Sequence, residues 1–585
     1  MGYDDKKIEF GREPLQVIEL DLGYCSLTHG IAPCVATETG DDKCYNTRAT
    51  CNDPDNYDET TQTYRFCESR TNLPVGINMI PSIGGTISRA PTTTTAGKGL
   101  GSRATVKVTL NDHTWHDRDL DKYIADRTYD PESQGTYWGK FLARNPFFEA
   151  REMRVLTGYL PIDGSAFSWD DFQTEYYDIT DIAGPTNGKA IVSGKDILTR
   201  TYGSKAKYPL ASPGELTADI TSGATNATLE PAGIGNSDYP ASGYISIGKE
   251  VSSFTRSGDV LTLTRAQWGT EAKAHKDGDT VQICASWDGD NVLDVLEELL
   301  VTGAGIPASY IPNGTGENWD DERSLWLSNS TVKGILIKPE PIDKVIAELS
   351  ECFMFDIWWS LADQEIRIKA LSPEPSGVTI ETLTDDYNLI ANSVGIKKDS
   401  KQRVSEVQVF YNKINYAEKS EAEEFAALYT SIDPSASGST QYGRESIRTI
   451  FCRWFDDKGQ SAKLAGRTIA RFRDTPSIVS FAVDVKDDAK YSLAQRVELD
   501  TAAIQSVAGA NLPSKFQITK ITQSQPGSTA KVEGLTSSFS GRYWFIAPDS
   551  VISTYSTATD EEKNTAFICY DTGIFLDGTS AYKII

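Results

Sequence analysis

Residues 25–67 read CSLTHGIAPCVATETGDDKCYNTRATCNDPDNYDETTQTYRFC and hold five of the nine cysteines of a 585-residue chain. Cys25 and Cys34 are nine apart, Cys44 and Cys51 seven apart, and a polar segment with Gly40 joins the two pairs. Four thiolates can converge on one point when loops with Gly and Pro carry them, which regular strands do not easily arrange. The spacings are wider than the CxxC knuckle of common zinc ribbons. Spacing alone therefore leaves three outcomes open: a metal or cluster, disulfides formed after release, or inert thiols.

What surrounds the run narrows its setting. The first fifteen residues, MGYDDKKIEFGREPL, carry charges where an export signal needs an apolar stretch. No window approaches eighteen apolar residues, so no stable membrane insertion is expected. A chain of this kind is expected to meet a reducing cytosol, where clustered cysteines more often bind metal than pair. The net charge of −25 argues against binding nucleic acid by phosphate neutralisation. Brief contact with DNA is another matter, because an acidic wall does not retain a polyanion.

Length suggests three to five domains, and the pattern suggests a mostly β chain with some α, a multi-domain α+β protein. Residues 1–75 read as a cysteine-rich module. Residues 76–215 read as the first part of a barrel or sandwich domain, within which the Thr/Gly run at 90–104 reads as a linker or exposed loop. Residues 216–283 alternate in short runs (Tyr244, Ile245, Ile247; Val260, Leu261, Leu263) between Gly turns, the pattern of a small inserted antiparallel barrel or sandwich. It is expected to fold independently and to be removable.

Residues 284–390 carry two helices and a hairpin. NVLDVLEELLVTGAG opens on Asn291 as a cap and stripes Val292, Val295, Leu296, Leu299 and Leu300 along one face. PIDKVIAELSECF opens on Pro341, and FDIWWSLADQEIRIKAL turns at LADQ. Residues 391–585 read as a C-terminal β-rich domain with one helix at SAKLAGRTIARFR.

Catalytic signatures are missing: there is no GxxxxGK[ST], HExxH, GxSxG or Rossmann glycine pattern, and four histidines leave little general-base capacity. His113 and His116 in HTWHD, ending at Asp117, could meet a metal on a helix, but a polar strand-like setting favours a solvated loop. The acidic pairs Asp170–Asp171 and Asp320–Asp321 are ordinary in so acidic a chain. No catalytic residue is assigned, and the chain is expected not to be an enzyme.

The cysteine segment, together with SGYISIG…LTRAQWGT…H..GD.V, resembles the tail-tip or baseplate hub proteins of long-tailed, siphovirus-like bacteriophages. The helix-and-hairpin stretch and the C-terminal YWFIAPDSV…DEEKNTAFIC…FLDGTSAYKII are similar to parts of the same family. In lambda-type and gene-transfer-agent tail tips, similarly paired cysteines hold an iron–sulfur cluster. The resemblance implies Cys25, Cys34, Cys44 and Cys51 as ligands, with Cys67 an extra thiol and possible alternative ligand. It implies a 4Fe-4S cluster, with zinc as the alternative metal.

It further implies a homotrimeric virion hub, assembled in the bacterial host cytoplasm. The partners implied are the distal tail protein, the tape-measure protein and central fibre or receptor-binding proteins, with DNA only in passage during ejection. The rival reading is a tail-associated protein that binds or degrades cell wall or polysaccharide, for which Trp169, Asp170 and Asp171 would be the place to look. A second rival, a secreted cysteine-stapled adhesin, would need the thiols paired.

Overall fold

The computed structural model describes residues 13–537, except 70–78, 86, 96–98, 118–119, 129, 131–134, 161–167, 204–205, 373–378, 434–443, 485–490 and 524–528. The C-terminal stretch from Tyr543, with its resemblance, and Cys569 lie outside the described residues.

Alternation in the first strand sets up the fold. Glu13–Cys25 (β1) turns Ile18, Leu20 and Leu22 to one face and Leu15 and Val17 to the other, and both faces are buried. The strands Glu59–Glu68 (β2), Ile80–Ile83 (β3), Ser88–Ala90 (β4), Thr105–Asn111 (β5), Glu152–Leu160 (β6), Gln173–Thr186 (β7) and Lys189–Lys195 (β8) join it. They form one sheet in the order β3-β2-β1-β6-β7-β8-β5-β4. A pairing of Ile83 with Leu110 joins β3 to β5 and closes seven of these strands into a barrel.

The helix Tyr137–Arg144, capped by the Thr136 hydroxyl, contributes Tyr137, Trp138 and Phe141 to the barrel core. There Trp138 meets Phe66 at 5.1 Å between ring centroids and Phe141 meets Tyr64 at 5.0 Å. Burying a ring such as Phe66 stabilises the fold by about 2–3 kcal/mol. Across the wall, buried Glu19 is paired with Arg65 at 2.6 Å on β2 and Arg154 at 2.7 Å on β6, which fixes the register of three strands.

The cysteine-rich stretch is therefore not a module set apart at residue 75. Its flanks are adjacent staves of the barrel, and Ser26–Asp58 is an excursion between them, with Cys25 opposite Glu59 at its base. In the Thr/Gly run, the described residues 90–95 and 99–104 form a seam rather than an exposed linker. Thr92, Thr94 and Ala104 are buried, and the Thr94 amide donates to Thr519 O at 3.0 Å. A Cβ at Gly101 would lie 1.7 Å from Thr93 O, so glycine is required there.

Glu215–Leu216, Asn226–Glu230, Ser242–Ile247, Glu250–Ser257, Val260–Gln267 and Val281–Ile283 form a six-stranded antiparallel sheet. Its outer strands are drawn together by bonds from Leu216 N to Asp279 O and from Val281 N to Gly214 O. Leu216, Leu229, Ile245, Phe254, Leu261 and Val281 fill its own core. The unit is docked as well as inserted: Val251 packs with Cys284, Ile335 and Ile337, and Trp268 stands edge-on to Tyr416 at 5.1 Å.

The largest core joins Val292–Glu298, Ile342–Phe353 and Lys458–Phe472 to the hairpin Phe355–Ser360/Glu365–Ala370 and to the sheet of Glu406–Lys413, Phe425–Ile432 and Ile447–Phe451. Asn291 Oδ1 accepts the Leu293 amide at 3.0 Å, and all five residues of the expected apolar stripe are buried. Because this core draws on residues both before and after 390, no domain boundary falls there. A second six-stranded sheet, built from strands between Glu381 and Thr536, packs its own core around Val479, Phe481, Val497 and Phe516. The chain is mostly β with some α, and among the described residues no helix is long and apolar enough to cross a membrane.

Candidate metal centre

The excursion between β1 and β2 has almost no regular structure beyond three short 3-10 turns, at Gly40–Asp42, Arg48–Thr50 and Pro54–Asn56. Its shape comes from polar contacts. The Asn46 side chain donates to Cys25 O at 3.1 Å and Leu27 O at 2.9 Å, and the Cys25 amide donates back to Asn46 O. The Asp53 carboxylate accepts the Val35 amide at 2.8 Å and the Asn56 side chain. Arg127 donates to the carbonyls of Asp41 and Lys43 at 3.0 Å and of Cys44 at 2.9 Å, and is itself paired with Asp121. Tyr45 lies between two guanidiniums, with Arg127 3.7 Å and Arg144 3.9 Å from its ring centroid.

These contacts bring Cys25, Cys34, Cys44 and Cys51 to one small cavity, which Leu27, His29, Ala36, Asn46, Asn52, Asp53, Asn56 and Tyr57 complete. Burial pushes the Cys44 thiol up; the amide of Asn46 opposes this, and Cys51, Cys34 and Cys25 add to it. Burial likewise raises Cys51, against the amide of Asp53 and with Cys25 and Cys34 adding. Each of these sulfurs thus receives a backbone N–H from two residues ahead and feels its fellow thiols. Tyr57 is raised to about 12 by burial, with Glu59, Cys25 and Cys51 contributing.

Three buried polar atoms around this cavity lack a partner: His29 Nδ1, Asn52 Oδ1 and Tyr57 Oη. Four soft donors, two of them (Cys44 and Cys51) met by a backbone amide, with three unpartnered polar atoms on the residues beside them, fit a thiolate-held metal group. Among the described residues no three His, Cys, Asp or Glu side chains are gathered closely enough to hold a single ion.

Cys67 is elsewhere. It is fully buried on β2 opposite Val17, eight strand positions from Cys25, or about 25 Å along the wall. It packs with Leu15, Leu156, Leu160 and Phe172, so its place as an alternative ligand is corrected. HTWHD is not a solvated loop: His113 stacks on Tyr137 at 5.8 Å, Trp115 on His116 at 5.0 Å, and buried Asp117 pairs with Lys140 and Arg144. Asp170 and Asp171 are neighbours in one short turn, and Trp169 packs on Phe172 and beneath Arg65. Asp320 and Asp321 lie in the first turn of the short helix Asn318–Glu322. His29, unremarked in the sequence, is the site residue that sequence reasoning missed; its position between two cysteines was the only signal.

No protein-family model and no curated protein sequence matches the chain. Solved structures similar to it include phage tail and baseplate proteins. One is the prophage MuSo2 43 kDa tail protein from Shewanella oneidensis, with 10% identity, 77% of this chain and 94% of that one covered, and a TM-score of 0.35. Another is the prophage tail protein gp18 from Listeria monocytogenes EGD-e, at 8% identity, 68% and 87% coverage and a TM-score of 0.30. A third is the p2 virion baseplate in its activated conformation, at 11% identity, 57% and 90% coverage and a TM-score of 0.17.

Proposed function

We propose that the chain is a structural protein of a phage tail, a hub at the tail tip, and not an enzyme. The observation that carries this reading is the convergence of Cys25, Cys34, Cys44 and Cys51 on one cavity in a loop of a β-barrel, where the tail-tip resemblance implies a cluster. These four thiolates hold an iron–sulfur cluster, of the 4Fe-4S type, with zinc as the alternative.

The bound group acts as a staple for a loop with little regular structure of its own, and a structural site of this kind stabilises its fold by about 10 kcal/mol or more. As a hub the chain forms a homotrimer at the tail tip of the virion, in contact with distal tail, tape-measure and central fibre proteins. Its acidity, −25 overall, lets DNA pass without being held.

Two measurements test this. Anaerobically purified protein should be brown, with iron and acid-labile sulfide in near-equal amounts; colourless protein with Cys25, Cys34, Cys44 and Cys51 paired as disulfides overturns the cluster. Antibody labelling of intact particles in the electron microscope should mark the tail tip with three-fold symmetry. Absence of the chain from particles overturns the hub.

A further inference from the structure

Next to the cysteine cavity, and separate from it, lies a cleft of about 240 Å3 that Leu22 and Gly23 of β1 help to line. Three guanidiniums reach it from three different elements. Arg48 comes from the second 3-10 turn of the excursion, Arg144 from the last turn of the barrel helix, and Arg151 from the residue before β6.

The carboxylates nearby do not balance these cations. Arg144 shares Asp117 with Lys140, at 2.6 and 2.8 Å. Arg151 meets Glu59 at 2.6 Å in a pair exposed on both sides, and exposed pairs of this kind hold weakly. Arg48 meets a carbonyl and a ring instead: it donates to Pro54 O at 2.8 Å, and its guanidinium lies 5.0 Å from the Tyr57 ring centroid. Two carboxylates thus serve four cations, which leaves two positive charges uncancelled on a chain of net charge −25. Tyr57 stands between this cleft and the cysteine cavity, and its buried Oη has no protein partner. A Cβ at Gly23 would lie 2.9 Å from Glu59 Oε1 and 3.5 Å from Arg151 Nη2, so the glycine leaves that pair its place.

A guanidinium offers N–H groups and no acceptor, in a fork that matches the oxygens of a carboxylate or a phosphate. One fork fully serves a planar carboxylate, whereas forks from three elements, with a phenol beside them, match a tetrahedral phosphate. We propose that this cleft binds a phosphate group, held by Arg48, Arg144 and Arg151 with Tyr57 Oη as a further donor. None of these four residues is a thiol ligand, so the proposal does not depend on a metal in the neighbouring cavity. The competing account is that the guanidiniums only offset negative charge on the thiolates, which needs no ligand.

Isothermal titration of the full-length protein with inorganic phosphate, at an ionic strength fixed with sodium chloride, separates the two. Saturable binding is expected, with acetate weaker by about tenfold. Dimethyl phosphate is the second probe: binding like that of inorganic phosphate points to a phosphodiester within a larger molecule, and much weaker binding to a terminal phosphate. Arg48→Ser combined with Arg151→Ser should weaken phosphate binding by about tenfold or more, the factor expected for losing charge-assisted hydrogen bonds. Tyr57→Phe, which keeps the ring under Arg48 and removes only the hydroxyl, should weaken it about fivefold. Wild-type protein without saturable binding, acetate binding as tightly as phosphate, or an affinity unchanged in both variants overturns the site.

Discussion

The Asp53 carboxylate accepts the backbone amide of Val35 at 2.8 Å, so the residue after Cys34 is fixed to the residue two beyond Cys51. One side chain thereby ties the two cysteine pairs together. The amides of Val35 and Asn56 and the side chain of Asn56 hold the Asp53 carboxyl below its ordinary value of 3.8. The contact is therefore complete above about pH 4 and is lost as pH falls through the lower folded value. Asp53→Ala should release metal to a chelator faster than wild type at pH 7. The wild-type loop should show the same fast release only once the pH drops below 4, read by absorbance in a chelator challenge.

Cys67 offers a control built into the wall. Replacing Cys25, Cys34, Cys44 or Cys51 singly by Ala should lower bound metal, measured per chain by elemental analysis. Cys67→Ala should leave metal content at the wild-type level and cost only about 1 kcal/mol through the small cavity left among Leu15, Leu156 and Phe172. Loss of metal in Cys67→Ala with the barrel intact would reassign the ligand set.

Tyr45, between Arg127 and Arg144, anchors the loop to the segment before the barrel helix and to the helix itself. Each partly buried cation–π contact is worth about 0.5–2 kcal/mol. Tyr45→Ala should therefore lower unfolding free energy by about 2 kcal/mol in denaturant titration, whereas Tyr45→Phe, which keeps the ring, should stay within about 0.5 kcal/mol of wild type.

In the small inserted barrel, Glu250 has only 1% of its side chain exposed and meets Arg265 Nη2 at 2.6 Å, His275 Nε2 at 2.9 Å and the Lys273 amide at 2.9 Å. Burial opposes ionisation, but Arg265, the Lys273 amide and His275 overcome it and lower the carboxyl from 4.5 to about 2. Its stabilisation is present above about pH 4.5 and is lost as pH falls toward about 2. Glu250→Gln leaves Arg265 buried without its counter-charge and should cost about 3–5 kcal/mol, seen as earlier melting of this unit by differential scanning calorimetry.

Local signals were legible in the sequence and long-range ones were not. The stripe from Val292 to Leu300, the cap at Asn291 and the hairpin turning at residues 361–364 all follow from spacing within a dozen residues. The barrel does not, because β1 pairs with β6 from more than a hundred residues away, and the Glu19–Arg154 and Asp21–Arg154 bonds that fix this register leave no periodic trace. The same limit hid the fate of Cys67: density of thiols along the chain groups it with the other four, while strand geometry carries it to the far end of the wall. HTWHD looked polar because its burial depends on Tyr137 and Lys140, which belong to a helix formed later in the chain.

The pairing of Cys25 with Glu59 has an evolutionary consequence. The two ends of the thiol-bearing segment are already held together by the barrel, so a short hairpin turn could be exchanged for about thirty residues at a closure cost of only about 2–3 kcal/mol. An ancestral plain barrel could therefore acquire or shed this segment in a single genetic step without relearning how to fold. The same economy makes the site portable: grafted between the matching strands of another barrel, with counterparts of Arg127 and Arg144 supplied nearby, it should carry its chemistry with it.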